Sequence, residues 1–305
     1  MSGKQAGISD ETRALYLELQ VEGPLVPDAA DVEAYRRRVA DGFEAYIEAA
    51  VGAFDGVIEI IEIAGRRCRQ LTPPGWDAEH GDCILYAFGG GYVCGSTHED
   101  QIITAPLATA SAARIVMVEY CLSPENPYPL PQQDMQAVYP ELLQRYGAGR
   151  LVVSGESAGG NQALGLLLHA RDQGLELPRC AALLSPWCDL ENQGDSHVFN
   201  ETRDPSLNCE WVDVAASWHA GDTPLGHPGI SPLNADLQGL PPCIITTGSR
   251  DLLLSQCLRL AQKLRAAGVD CDLRVWEGLW HVFEFYPIPE AALSIGEIAE
   301  FIRNH

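Results

Sequence analysis

The chain has 305 residues, with 20 Lys plus Arg against 42 Asp plus Glu, a formal charge of −22. That length is one large domain or two small ones, ample for a core without disulfide staples, and 46% hydrophobic with 20% charged residues excludes long disorder. Only Lys4 and Lys263 are lysines and no basic stripe appears, which excludes nucleic acid and an anionic membrane surface as partners.

The first 20 residues have no basic segment followed by an apolar run, so no export signal is read from them. No segment approaches the roughly 20 apolar residues of a membrane span. Leu15, Leu17, Leu19 and Val21 among polar residues predict a helix, and 31–50 an amphipathic one, with Gly23-Pro24 and Pro27 breaking the two. Then the pattern changes. Residues 57–63 alternate and are β-branched, and 83–88, 115–120, 151–154, 181–184, 244–247 and 273–276 are short apolar runs of the buried-strand type. Helical stretches fall at 131–146, 158–173, 252–267 and 289–303. Such alternation predicts an α/β fold, a mostly parallel sheet with helices on both faces. From 188 to 228 no strand is predicted, and the segment is rich in Asp, Asn, Trp, Gly and Pro. An insertion of this size at a strand end usually carries function. It is expected to pack with residues 1–50 as a helical cap over an active site, on one domain spanning 1–305.

The ten cysteines are scattered, with no CxxC pair and no Cys/His cluster at zinc spacing. Free thiols in a cytoplasmic protein, with no metal, are the expectation.

Gly155-Glu156-Ser157-Ala158-Gly159 has the GxSxG form, weak by itself. Its context is stronger, because a strand (151–154) precedes it and a helix follows, as a nucleophile elbow requires. The flanking glycines allow a tight, strained turn, and the helix head favours developing negative charge. The ordinary alternative is a glycine-rich turn that binds phosphate or merely turns. A nucleophilic serine needs a base, and the base needs an orienting acid. His281 lies in the loop after the strand ending at Trp276, and Asp251 just past the strand 244–247, where α/β sheets place their sites. Asp251 could equally cap the following helix. The order Ser157, Asp251, His281 favours the catalytic role, with Asp270 or Asp272 as weaker competitors. Gly89-Gly90-Gly91 after the strand 83–88 can turn amides toward a reacting carbonyl, or be merely a flexible loop.

With these motifs in place, the chain resembles the bacterial hormone-sensitive-lipase-like esterases, α/β hydrolases with an HGGG loop and a GDSAGG elbow. The likeness runs over about 80–303, through FGGGYVCGS (88–96), YCLSPENPYPLPQQD (120–134), GESAGGN (155–161), LLSPWCDL (183–190), SPLNADLQGLPP (231–242), GSRDLLLS (248–255) and EGLWHVFE (277–284). The resemblance implies an α/β-hydrolase fold and hydrolysis of short-acyl carboxylic esters without a cofactor. It further implies Ser157 as nucleophile, Asp251 as acid, His281 as base, and the amides of Gly90, Gly91 and Ala158 as the oxyanion hole. Three positions depart from the family. Phe88 replaces the His of HGGG, so that packing must hold the glycine loop. Cys121 replaces an Arg and removes a salt-bridge partner, and Glu156 replaces Asp beside the serine.

Tyr92, Trp187, Trp211, Trp218 and Phe283 are candidates for the substrate pocket, with core packing the competing role of each. The expected substrate is a small, neutral ester, because a polyanionic one would approach against the field of the chain. A lactonase or amide deacylase would use the same triad, and a small-molecule receptor on a hydrolase fold ranks below both. An exposed edge of the last strand would allow a homodimer.

Overall fold

The computed structural model describes residues 7–22, Pro27 and 31–305. The break expected at Gly23-Pro24 lies outside the described residues. Among those described, eight strands form a single sheet in the order β1-β2-β4-β3-β5-β6-β7-β8. They are β1 (Val57–Ile63), β2 (Arg66–Thr72), β3 (Cys83–Ala87), β4 (Arg114–Val118), β5 (Leu151–Glu156), β6 (Cys180–Leu184), β7 (Cys243–Gly248) and β8 (Cys271–Trp276). β2 runs antiparallel to both β1 and β4, and every pair from β4 to β8 is parallel. The doubly covered, mostly parallel sheet expected of the sequence is therefore present.

The period of two along each central strand divides the core in two. Leu85, Val116, Val118, Leu151 and Val153 face one side, and Ile84, Tyr86, Ile115, Met117 and Val152 the other. The first side is covered by α4 (Leu130–Tyr146), α5 (Ala158–Asp172) and α8 (Leu254–Ala266), the second by α3 (Gln101–Ser111) and α9 (Pro289–Asn304). Two elements differ from expectation. β2, with the sequence RRCRQLT, and α3, with QIITAPLATAS, were not predicted.

The N-terminal part forms α1 (Asp10–Glu22) and α2 (Val32–Gly52), and the insertion forms α6 (Asp195–Phe199) and α7 (Cys209–Ala220) without any strand. These helices stand at the C-terminal ends of the parallel strands. Tyr16 of α1 packs against Trp280, and its hydroxyl donates to the Arg203 carbonyl at 2.9 Å. Trp211 of α7 donates its Nε1–H to the Tyr35 hydroxyl of α2 at 2.5 Å. No helix among the described residues is long and apolar enough to cross a membrane.

Candidate active site

Ser157 stands between β5 and α5 with φ +51° and ψ −117°, a conformation that L side chains rarely adopt. The elbow is over-determined by its surroundings, as such strain requires. The Ser157 N–H donates to the Leu184 carbonyl at 2.9 Å, and its own carbonyl accepts the Trp187 N–H at 2.9 Å. A Cβ on Gly155 would collide with the Gly159 carbonyl, and one on Gly159 with the carbonyls of Ala87 and Phe88. The helix head can approach β3 this closely only because those side chains are missing.

His281 lies 2.9 Å from Ser157, measured Nε2 to Oγ, and 3.1 Å from Asp251, measured Nδ1 to Oδ1. Asp251 has a lowered pKa, because its pairing with His281 and the Leu253 N–H outweighs burial, so it is the acceptor. Nδ1–H must then donate to Asp251, which leaves the Nε2 lone pair facing the Ser157 hydroxyl. Thr247 Oγ1–H donates to the other Asp251 oxygen at 2.9 Å, and the Leu253 N–H to the first at 2.7 Å. Burial alone would lower the His281 pKa, but Asp251, then Asp204 and Glu156, carry it above its ordinary value. The competing acids do not reach the histidine. Asp270 lies 3.9 Å from His305, and Asp272 pairs with Arg274 at 2.7 Å.

The glycine loop passes beside this group. Gly90 and Gly91 have φ of +89° and +62°, and the Gly90 carbonyl accepts the N–H groups of Val93 and Cys94 at 2.9 and 3.0 Å. Among the described residues, the N–H groups of Gly90, Gly91 and Ala158 have no acceptor. A Cβ on Gly91 would strike the Trp211 ring edge. The three departures each have a physical counterpart. Phe88 stacks on Tyr120 with ring centroids 3.9 Å apart, and the Tyr120 hydroxyl donates to the Phe88 carbonyl at 2.6 Å, so packing does hold the loop. With no Arg at Cys121, Arg66 of β2 pairs with Asp134 at 2.7 Å, and Asp134 accepts the Cys121 N–H at 2.9 Å. Glu156 is buried against Gly89, and burial pushes its pKa up to about 7 although His281 and the Gly89 amide pull it down.

A cavity of about 370 Å³ opens above Ser157 and His281. Its walls include Leu15 and Leu19 of α1, Tyr35, Phe43 and Tyr46 of α2, Leu207 and Trp211 of the insertion, Phe285 and Tyr286 after His281, Gly89 and Gly90, and the charged side chains of Glu18, Arg38, Glu99 and Asp100. Of the five aromatic candidates only Trp211 lines it. Tyr92, Trp187, Trp218 and Phe283 are corrected to packing residues. The Tyr92 hydroxyl donates to Asn161 at 2.8 Å while its ring stacks on His219, Trp187 Nε1–H donates to Asn192 at 2.8 Å, Trp218 packs on the sheet core, and Phe283 is buried against Trp276. The missed wall had a legible signal, since Tyr35, Val39, Phe43 and Tyr46 recur at helical spacing along one face of α2. No group of three or more metal-binding side chains occurs among the described residues.

Comparison with known proteins bears on the same region. A family model described as the alpha/beta hydrolase fold matches residues 84–285. An acetyl-hydrolase of Streptomyces hygroscopicus is 32% identical over 229 residues, 74% of this chain and 77% of its own length. An esterase of Acinetobacter venetianus is 32% identical over 251 residues, 81% of this chain and 82% of its own. Among solved structures, the esterase EstE5 soaked with p-nitrophenyl butyrate superimposes with a TM-score of 0.88 at 32% identity, covering 97% of this chain and 98% of that one. An esterase of the bacterial hormone-sensitive lipase family superimposes with a TM-score of 0.87 at 33% identity, again over 97% and 98%. Taken with the sheet order and the glycine-flanked serine, these similarities place the chain in the bacterial hormone-sensitive-lipase-like esterase family of α/β hydrolases.

Proposed function

We propose that this carboxylic ester hydrolase cleaves small, neutral, short-acyl esters through Ser157, His281 and Asp251. The observation that carries the reading is the unbroken relay from Ser157 Oγ through the imidazole to the Asp251 carboxylate, at the floor of an aromatic-lined cavity. His281 Nε2 removes the Ser157 proton as Oγ attacks the ester carbonyl. Asp251 holds the imidazole in the productive tautomer and stabilises its cation. The amides of Gly90, Gly91 and Ala158 donate to the oxyanion, which their lack of internal acceptors supports. The imidazolium then protonates the leaving alcohol, and the same nitrogen takes a proton from water to release the acyl group from Ser157. Nothing in these steps calls for a metal or cofactor.

Residues about 1–50 and 188–228 are read as the cap of one 1–305 domain, a reading supported by α1, α2 and Trp211 of α7 standing in the cavity wall. The preference for a short acyl chain is supported by the size of that cavity and by the acetyl-hydrolase relative. A cytoplasmic location is supported by ten free cysteines. The open edge of β8 would be the face of a homodimer, which sedimentation would test. Ser157→Ala is expected to lower hydrolysis of p-nitrophenyl acetate and butyrate by about four orders of magnitude or more. Wild-type activity in that variant rejects the reading. A fluorophosphonate probe that fails to label Ser157 points instead to a receptor.

A further inference from the structure

The turn that carries Asp251 is gripped from outside the sheet by three polar residues of the insertion. Ser196, Asn200 and Asp204 follow one another at intervals of four, and N–H bonds link them through α6 and the turn after it, Asn200 to the Ser196 carbonyl at 2.8 Å and Asp204 to the Asn200 carbonyl at 2.9 Å. All three side chains are buried. Ser196 Oγ–H donates to the Leu252 carbonyl at 2.8 Å and accepts the Ser255 N–H at 2.9 Å. Asn200 Nδ2–H donates to the Asp251 carbonyl at 2.8 Å and more weakly to that of Ser249 at 3.3 Å. Asp204 Oδ2 accepts the Leu252 N–H at 2.8 Å, while Oδ1 accepts those of Ser206 and Leu207 at 2.9 and 3.3 Å. The carbonyl and the N–H of one peptide unit, Asp251–Leu252, are thus held from two sides by Asn200 and Asp204.

A backbone N–H can be satisfied by any neutral acceptor, so a carboxyl group here asks for a further reason. Burying a second acid near Asp251 costs desolvation and like-charge repulsion. We propose that Asp204 is a positioning residue of the triad: with Asn200 it fixes the Asp251–Leu252 peptide unit, and its carboxylate adds to the field that stabilises the His281 cation. This rests on the triad reading given above.

The charged and titratable groups about this position are Asp251 after β7 and His281 and Tyr286 after β8, with Glu156 acting on His281 and Glu284 on Asp251, and Arg203, whose guanidinium donates to Asn200 Oδ1 at 3.2 Å. Burial and then Asp251 push Asp204 up to about 7. It is therefore ionised on the alkaline side of neutrality, where His281 must start neutral and become charged as Ser157 attacks. The insertion thereby contributes to catalysis beneath the cavity as well as walling it.

Asp204→Asn and Asn200→Ser test this in the full chain, with thermal stability followed beside pH profiles on p-nitrophenyl acetate and an NMR titration of the His281 ring. Asp204→Asn is expected to move the His281 midpoint down by about one pH unit. It should also lower kcat about tenfold with little change in KM. Asn200→Ser is expected to lower kcat several-fold with the midpoint unmoved. A midpoint and kcat at wild-type values in Asp204→Asn, with only the melting temperature reduced, overturn the proposal. Should that variant fail to fold, Asn200→Ser decides alone, and an unchanged kcat overturns the proposal. If the wild type hydrolyses no ester at all, the triad reading fails, and the NMR midpoint still decides whether Asp204 acts on His281.

Discussion

A methyl group at Gly159 has nowhere to go. It would meet the carbonyl oxygens of Ala87 and Phe88, main-chain atoms at the end of a fully buried strand that cannot swing aside. Gly159→Ala must therefore push the head of α5, and Ser157 with it, away from the glycine loop. The expected loss is about 2 kcal/mol of stability by denaturant melting, with a larger fall in kcat than in KM because the oxyanion donors come from both sides of the displaced contact. Wild-type stability in that variant would show that the contact is slack. His281 gives a second test at the same scale. Its pKa is raised, chiefly by Asp251 working against burial, and only the neutral imidazole can take the serine proton. Activity should therefore be lost as the pH falls through a midpoint above the ordinary histidine value of about 6.5. A kinetic midpoint at or below that value contradicts the assignment. Ser157, Asp251 and His281 were legible because each stands at a strand end in a fixed order along the chain. Asn200 and Asp204 were not, since they act on backbone atoms of another segment and leave no spacing that sequence alone displays.

At the scale of elements, legibility followed burial. β3, β5, β6 and β7 are buried along their whole length and read as apolar runs. β2 did not, because its polar residues are used by neighbours: Arg66 by Asp134, Arg69 by Thr97 and Gln101, and Gln70 by Glu59. Only Cys68 and Leu71 remain for the core. α3 is buried on nearly every side and contains Pro106, so no 3.6-residue period survives to mark it. The packing of the insertion on residues 1–50 was expected, but the contact between α7 and α2 was not legible, because it depends on one indole meeting one phenol from distant segments. Tyr35→Phe would leave the buried Trp211 N–H without an acceptor, at a cost of about 1–3 kcal/mol. Trp211 also seals the cavity above Gly91, so KM for short esters should rise along with the drop in melting temperature. An unchanged melting temperature would mean that α2 and α7 are held together by apolar contact alone.

For the whole molecule, the charge of −22 and the buried acids act in the same direction. Glu156 is raised from 4.5 to about 7 and Asp204 from 3.8 to about 7, each by burial first, and Asp100 and Glu284 are raised as well. The folded chain retains protons that the unfolded chain releases. The stability Glu156 and Asp204 contribute is full below pH 4 and is lost as the pH rises through about 7, and Asp100 and Glu284 act in the same direction. Asp251, Glu125 and Glu290 are lowered, so their contribution is present above their ordinary values and is lost as the pH falls below about 4. Mutual repulsion among surface carboxylates also grows toward alkaline pH, but salt screens it, whereas the buried groups are hardly screened. The melting temperature should therefore be highest near pH 5 and lower by several degrees at pH 8, with part of the difference persisting in 1 M salt. Glu156→Gln should flatten the salt-resistant part, because the amide cannot ionise. A melting temperature that rises from pH 5 to pH 8, or a slope that 1 M salt abolishes, would mean that the buried acids hold no protons in the folded chain and that surface charge alone sets its response to pH.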